Sequence, residues 1–206
     1  MAVTINATTA SGLQVTSDNS GVIQFQQNGT NTVTIPAGTG TAAVQGVSTN
    51  IVSATVQATT SGTTITFGSI PSWVKRITLM YSGITTNGSN VIQFQLGTSG
   101  GATTTGYTAA STQYNGAGSG ATGALTTGFP IGQNTGSGTT YTGTMVFTLL
   151  TGNTWIATGV GLFNGTNGMT TSSGSIALGS TLTQVILTSV GSTSTFTAGS
   201  VNILYE

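Results

Sequence analysis

Gly68-Ser69-Ile70-Pro71-Ser72-Trp73-Val74-Lys75-Arg76-Ile77-Thr78-Leu79-Met80-Tyr81 is the stretch on which the fold turns. Proline fixes φ and lacks an N–H, so Pro71 marks a turn just ahead of a strand. From residue 74 the chain alternates. Lys75, Ile77, Leu79 and Tyr81 fall on one face of an extended segment, and Val74, Arg76, Thr78 and Met80 fall on the other. Large apolar groups on both faces predict a central strand. Trp73 has the size to plug one end of a core, so Pro71 and Trp73 set a corner. The two cations stand at the start of the strand, where they reach solvent.

Beyond this stretch the pattern repeats. Asn87-Gly88-Ser89 signals a turn, and residues 91–96 predict the next strand, with Ile92, Phe94 and Leu96 toward the core and Gln93 and Gln95 toward solvent. Met145, Phe147 and Leu149 share one face of a later strand. Gly152-Asn153 then turns the chain into a strand over 155–163, and residues 175–178, 182–189 and 199–205 supply the last ones. Between them, residues 97–140 are dominated by Gly, Thr, Ser and Ala, a length that marks a functional loop or a disordered one. Tyr107, Tyr114, Phe129 and Tyr141 punctuate it, which a featureless linker would not need; short strands with exposed tips fit this spacing. No window keeps a helical period. Turns recurring about every eight to twelve residues predict an all-β fold, an antiparallel β-sandwich of jelly-roll type over residues 42–206.

Toward the N-terminus the strands shorten. Residues 13–16, 22–26 and 32–35 read as strand pieces separated by Asp-Asn-Ser-Gly and Asn-Gly turns, a hairpin-rich segment that buries too little to stand alone. Pro36-Ala37-Gly38-Thr39-Gly40-Thr41 reads as a linker. The expected organisation is an attachment segment with its linker over 1–41 and a β-domain over 42–206.

Charge is the unusual property of this 206-residue chain. Asp18, Lys75, Arg76 and Glu206 are its only charged residues, and it has neither histidine nor cysteine. About a quarter of an ordinary soluble domain is charged. Two cations cannot supply the phosphate contacts that nucleic-acid binding rests on. Near-zero charge also offers little resistance to association, so the chain is expected to exist assembled with copies of itself. The first residues lack the basic and apolar regions of a signal peptide, and no run approaches the roughly 18 apolar residues of a membrane helix. Neither secretion nor membrane insertion is expected.

The usual chemistry is missing. Gly118-Ser119-Gly120-Ala121-Thr122-Gly123 matches GxGxxG, but no acidic residue lies between Asp18 and Glu206 to complete a dinucleotide site. Serine has no histidine to serve as its base, and no set of His, Cys or clustered acids is available for a metal. No enzyme, cofactor or metal site is expected. The remaining candidates are the tyrosines of the polar stretch. Tyr107, Tyr114 and Tyr141 would either stack on sugar rings, with Asn, Gln and Thr bonding the hydroxyls, or pack in the core.

Three segments together carry a family likeness: Ala10-Ser11-Gly12-Leu13-Gln14-Val15-Thr16-Ser17-Asp18 before an Asn-Gly-Thr turn, the strand entry Ile70-Pro71-Ser72-Trp73-Val74-Lys75-Arg76-Ile77-Thr78, and the segment Ala198-Gly199-Ser200-Val201-Asn202-Ile203-Leu204-Tyr205-Glu206. In these the chain resembles a group of small Gly/Thr-rich virion structural proteins of tailed bacteriophages. The resemblance implies a virion appendage. An N-terminal segment would attach to other virion proteins, and an outward β-domain, often trimeric, would contact host-surface glycans as a short tail fibre or tail tip. A capsid decoration or head-fibre protein is the alternative. The protein would be made in the host cytoplasm and reside in the virion.

Overall fold

The computed structural model describes residues 23–27, 30–35, 51–115, 118–121, 124–133, 136–164 and 168–206. The chain divides into two units, Met1–Thr49 and Asn50–Glu206. In the first, strands β1 (Ile23–Gln27) and β2 (Thr30–Ile35) pair antiparallel from Ile23↔Ile35 to Gln27↔Thr30. The strand expected at 13–16 and the linker at 36–41 lie outside the described residues.

The second unit is a sandwich of two antiparallel sheets. Its strands are β3 (Val52–Ser53), β4 (Gln57–Ala58), β5 (Thr64–Phe67), β6 (Arg76–Thr86), β7 (Ile92–Thr98), β8 (Gly101–Ala102), β9 (Thr108–Asn115) and β10 (Gly118–Ala121), followed by β11 (Phe129–Pro130), β12 (Tyr141–Thr151), β13 (Thr154–Phe163), β14 (Gly168–Ala177), β15 (Gln184–Ser189) and β16 (Phe196–Tyr205). The large sheet runs β10-β9-β14-β13-β12-β6-β16-β3, with β4 also on β16; the small sheet runs β11-β7-β15-β5, with β8 on β7. As the alternation from residue 74 predicts, β6 is a central strand, flanked by β12 and β16.

The core forms where the inner faces meet. Ile77, Leu79 and Tyr81 of β6, Met145 and Phe147 of β12, Val201 and Ile203 of β16, and Phe94 and Leu96 of β7 are all buried. Aromatic rings join the layers: Phe94 meets Phe147 edge-on with centroids 6.4 Å apart, Phe129 lies 5.5 Å from Phe147, and Tyr81 lies 6.0 Å from Phe94. Glycine makes room for one of these rings. A Cβ on Gly143 or on Gly161 would sit 2.7 Å from the Tyr81 hydroxyl, so a bulky aromatic on β6 requires bare backbone on β12 and β13.

This packing bears out one expectation and corrects another. The stretch 97–140 holds short strands, as the spacing of its aromatics suggests. Thr108–Asn115 forms β9, whose partner β14 runs alongside it from Ser175↔Thr108 to Met169↔Tyr114. Gln93 and Gln95 do not face solvent. The segment ahead of β11 covers them, with Gln95 Nε2 donating to the Thr127 carbonyl at 2.7 Å and Thr127 Oγ1 donating to Gln93 Oε1 at 2.9 Å. Buried amides need such partners, and here a neighbouring loop supplies them.

Candidate functional site

The three tyrosines expected to bind or to pack do not share a surface. Tyr107 is 2% exposed and Tyr141 is 1% exposed, whereas Tyr114 is 53% exposed. The Tyr107 hydroxyl accepts from Leu96 N–H at 2.8 Å, and the Tyr141 hydroxyl donates to the Gln133 carbonyl at 2.7 Å. Burial pushes both phenols up to about 12; at Tyr107 the Leu96 backbone bond, and at Tyr141 the neighbouring Gln113 amide, offset part of the rise. Tyr81 is raised further, again by burial first and then by the nearby Tyr141. Phenols held inside by backbone groups cannot stack on a sugar, so Tyr107 and Tyr141 are structural and only Tyr114 remains available.

Tyr114 belongs to a surface that sequence reading missed. The ladder registers place Tyr114, Met169, Leu162 and Thr142 in one row across β9, β14, β13 and β12. The next row is Thr112, Thr171, Val160, Thr144, Met80 and Asn202. The row after that is Ala110, Ser173, Thr158, Val146, Thr78 and Leu204. These rows form the outer face of the large sheet and contain no charged residue. Met169 is 59% exposed, and Leu162 and Val160 are each 54% exposed. An apolar cluster on adjoining strands, bordered by hydroxyls, is the pattern of an interaction surface rather than of scattered surface residues. Its signal in the sequence was the outward half of each alternation, visible only once the register was known.

The second concentration lies at the end of the sheet where β6 begins. The Val74 amide donates to the Pro71 carbonyl at 3.1 Å, closing a turn that buries Ile70 and Val74 and leaves Trp73 at its tip. Trp73 was expected to plug the core; it is instead 45% exposed and packs on Tyr205, ring centroids 5.9 Å apart and planes tilted by 48°. Lys75 and Arg76 amides donate to the Glu206 carbonyl at 2.8 and 2.9 Å. Arg76 Nη1 meets Glu206 Oε1 at 3.1 Å, both side chains well exposed. The Arg76–Glu206 ion pair therefore stands near an exposed indole packed on a half-buried tyrosine. Phe94 is buried as expected, and the other large aromatics of the strands, Trp155, Phe147 and Phe163, are buried with it.

No protein-family model, no curated protein and no solved structure matches this chain.

Proposed function

We propose that the chain is a structural protein of a bacteriophage virion, a short tail fibre or tail-tip appendage that assembles as a homotrimer and touches glycans of the host surface. The outer face of the large sheet carries this reading. It is wide, carries no charge in the rows from Tyr114 to Ala110, and holds Tyr114, Leu162, Met169 and Val160 in the open. Each such side chain gains roughly 1.5–3 kcal/mol when fully buried, and nothing in these rows sets up charge repulsion between copies. The surrounding Thr and Ser hydroxyls both donate and accept, so rows of them can bond to copies of themselves. Residues 1–41 would fasten the assembly to other virion proteins.

Light scattering of the purified chain tests the assembly: a mass near three times the 20.4 kDa protomer is expected, and a stable monomer would overturn the reading. Electron microscopy of particles tests the location. Density at the tail tip is expected; density at capsid lattice points would replace the tail assignment with a decoration protein.

A further inference from the structure

A groove of about 300 Å³ opens between the edge of the small sheet and the edge of the large one, lined by Thr55, Gln57, Thr66, Phe67, Ile203 and Tyr205 among others. Gln57 Nε2 donates across it to the Thr66 carbonyl at 3.0 Å, so the side chain occupies the place a further strand would take on β5. Tyr205 also borders a smaller pocket of about 130 Å³ formed with Ile51, Leu204, Arg76 and Glu206. Trp73 packs on the same Tyr205. One tyrosine thus links an apolar-floored groove, an exposed indole and the ion pair.

We infer that this corner is an oligosaccharide-binding site, with Trp73 and Tyr205 as its aromatic platform. Two aromatic rings of this kind offer apolar surface to the C–H face of a hexose at low cost in side-chain freedom. The groove supplies neutral amide and hydroxyl groups on Gln57, Thr55 and Thr66, which match sugar hydroxyls as donors and acceptors. Its volume lies at the lower end of small-ligand sites. Beyond Tyr205, the Arg76 guanidinium donates to one hydroxyl of a second ring while the Glu206 carboxylate accepts from another. The occupant is therefore a chain of at least two hexose rings. An extended peptide is disfavoured because Gln57 already takes the edge bond that such a strand would use. The turn also places Trp73 outward, although the sequence around it is apolar enough to bury it. This inference deepens the adhesion reading and rests on it, and it uses only the Arg76 end of the outer sheet face, not the open cluster of Tyr114, Leu162 and Met169.

The chain has two tryptophans, and Trp155 is buried, so iodide quenching of the full-length protein reports on Trp73. The probes are chitotetraose, maltotetraose, cellotetraose and a tetrauronate, together with an array of bacterial surface oligosaccharides. At least one is expected to protect Trp73 from iodide and shift its emission to the blue. Trp73→Ala is expected to weaken binding at least tenfold, read on the array, with the melting curve unchanged, and Tyr205→Ala to weaken it as much at some cost in stability, since its ring also packs on the core. Gln57→Ala serves as a second groove variant and is expected to weaken binding severalfold. Binding that survives Trp73→Ala and Tyr205→Ala would overturn this site and leave glycan adhesion standing. Failure of every saccharide to bind the wild-type protein would overturn both, whereas a trimer in light scattering would still support the virion assembly. Protection of Trp73 by an extended decapeptide but by no saccharide would replace the sugar with a peptide and overturn the proposal.

Discussion

Gly83 and Gly199 close on each other across the β6–β16 ladder, where a Cβ on Gly199 would sit 2.5 Å from the Gly83 carbonyl carbon. Both have positive φ, 67° and 102°. Ser82 pairs with Ser200 and Thr85 with Ala198, so Gly83 and Ile84 together oppose Gly199 alone, which makes a bulge in the central strand. The Gly83 amide donates to Thr142 Oγ1 at 3.0 Å, so the bulge leaves that N–H satisfied from β12.

That relationship predicts a large penalty for one methyl group. Gly199→Ala adds left-handed strain to a backbone collision and is expected to cost about 3 kcal/mol, read from the urea midpoint. Gly152→Ala is the control. Its φ is 53° but open space surrounds it, so strain alone, about 1 kcal/mol, is expected. Equal costs at the two positions would contradict the close approach.

Tyr107 tests the structural role assigned to a residue that sequence reading left between core and binding. Its hydroxyl accepts from Leu96 N–H, and it also lies within reach of the Leu96 carbonyl, 3.3 Å away. Tyr107→Phe keeps the ring against Phe129, 5.0 Å away, but leaves a buried strand amide without its partner. A loss of about 1–3 kcal/mol is expected, with no change in glycan binding. Stability within 0.5 kcal/mol of wild type, by the same denaturant titration, would refute the role (about the scatter of an ordinary surface substitution).

The buried phenols make stability depend on alkaline pH. Their folded pKa values lie above the unfolded value near 10, at about 12 for Tyr107 and Tyr141. A raised acid contributes its stability fully below the unfolded pKa and loses it as pH climbs through the folded one. Stability is therefore expected to fall from about pH 10 to pH 12, by an amount on the order of 3 kcal/mol per phenol. Absorbance at 295 nm checks this: Tyr107 and Tyr141 should ionise only together with unfolding as followed by circular dichroism. Reversible ionisation of both in the folded state near pH 10 would contradict their burial.

Leu162 stands between Met169 and Thr142 on the outer face. Leu162→Glu places a charge at the centre of the proposed copy–copy contact, where desolvating it costs several kcal/mol in each protomer. The mass by light scattering is expected to drop to the protomer value while the thermal transition of the β-domain persists. Thr108→Glu, on β9 and far down the same face, is expected to leave the assembly intact. An unchanged mass for Leu162→Glu would move the contact elsewhere.

Much of the sandwich could be read from alternation alone. Ile77, Leu79 and Tyr81, or Ile92, Phe94 and Leu96, announce a buried face because period-2 placement of large apolar groups has few other solutions. β9 and the first half of β14 could not be read this way. Thr108–Asn115 and Met169–Gly174 carry mostly Thr, Ser, Ala and Gln, and nothing local favours strand over loop; each is a strand because the other lies beside it.

The candidate sites divide along the same line. Sequence by itself determined that four charges serve the whole chain, that the fold is built of strands, and that Pro71 turns into a central strand, since composition and local pattern settle such matters. Only the tertiary structure decided that Trp73 stands outside on Tyr205, that Tyr107 and Tyr141 lie within, and that Tyr114, Leu162 and Met169 meet on one open face. Those outcomes depend on ladder register and on which layer covers which face. Both are set by contacts between residues far apart in the chain, so no short window of sequence contains them.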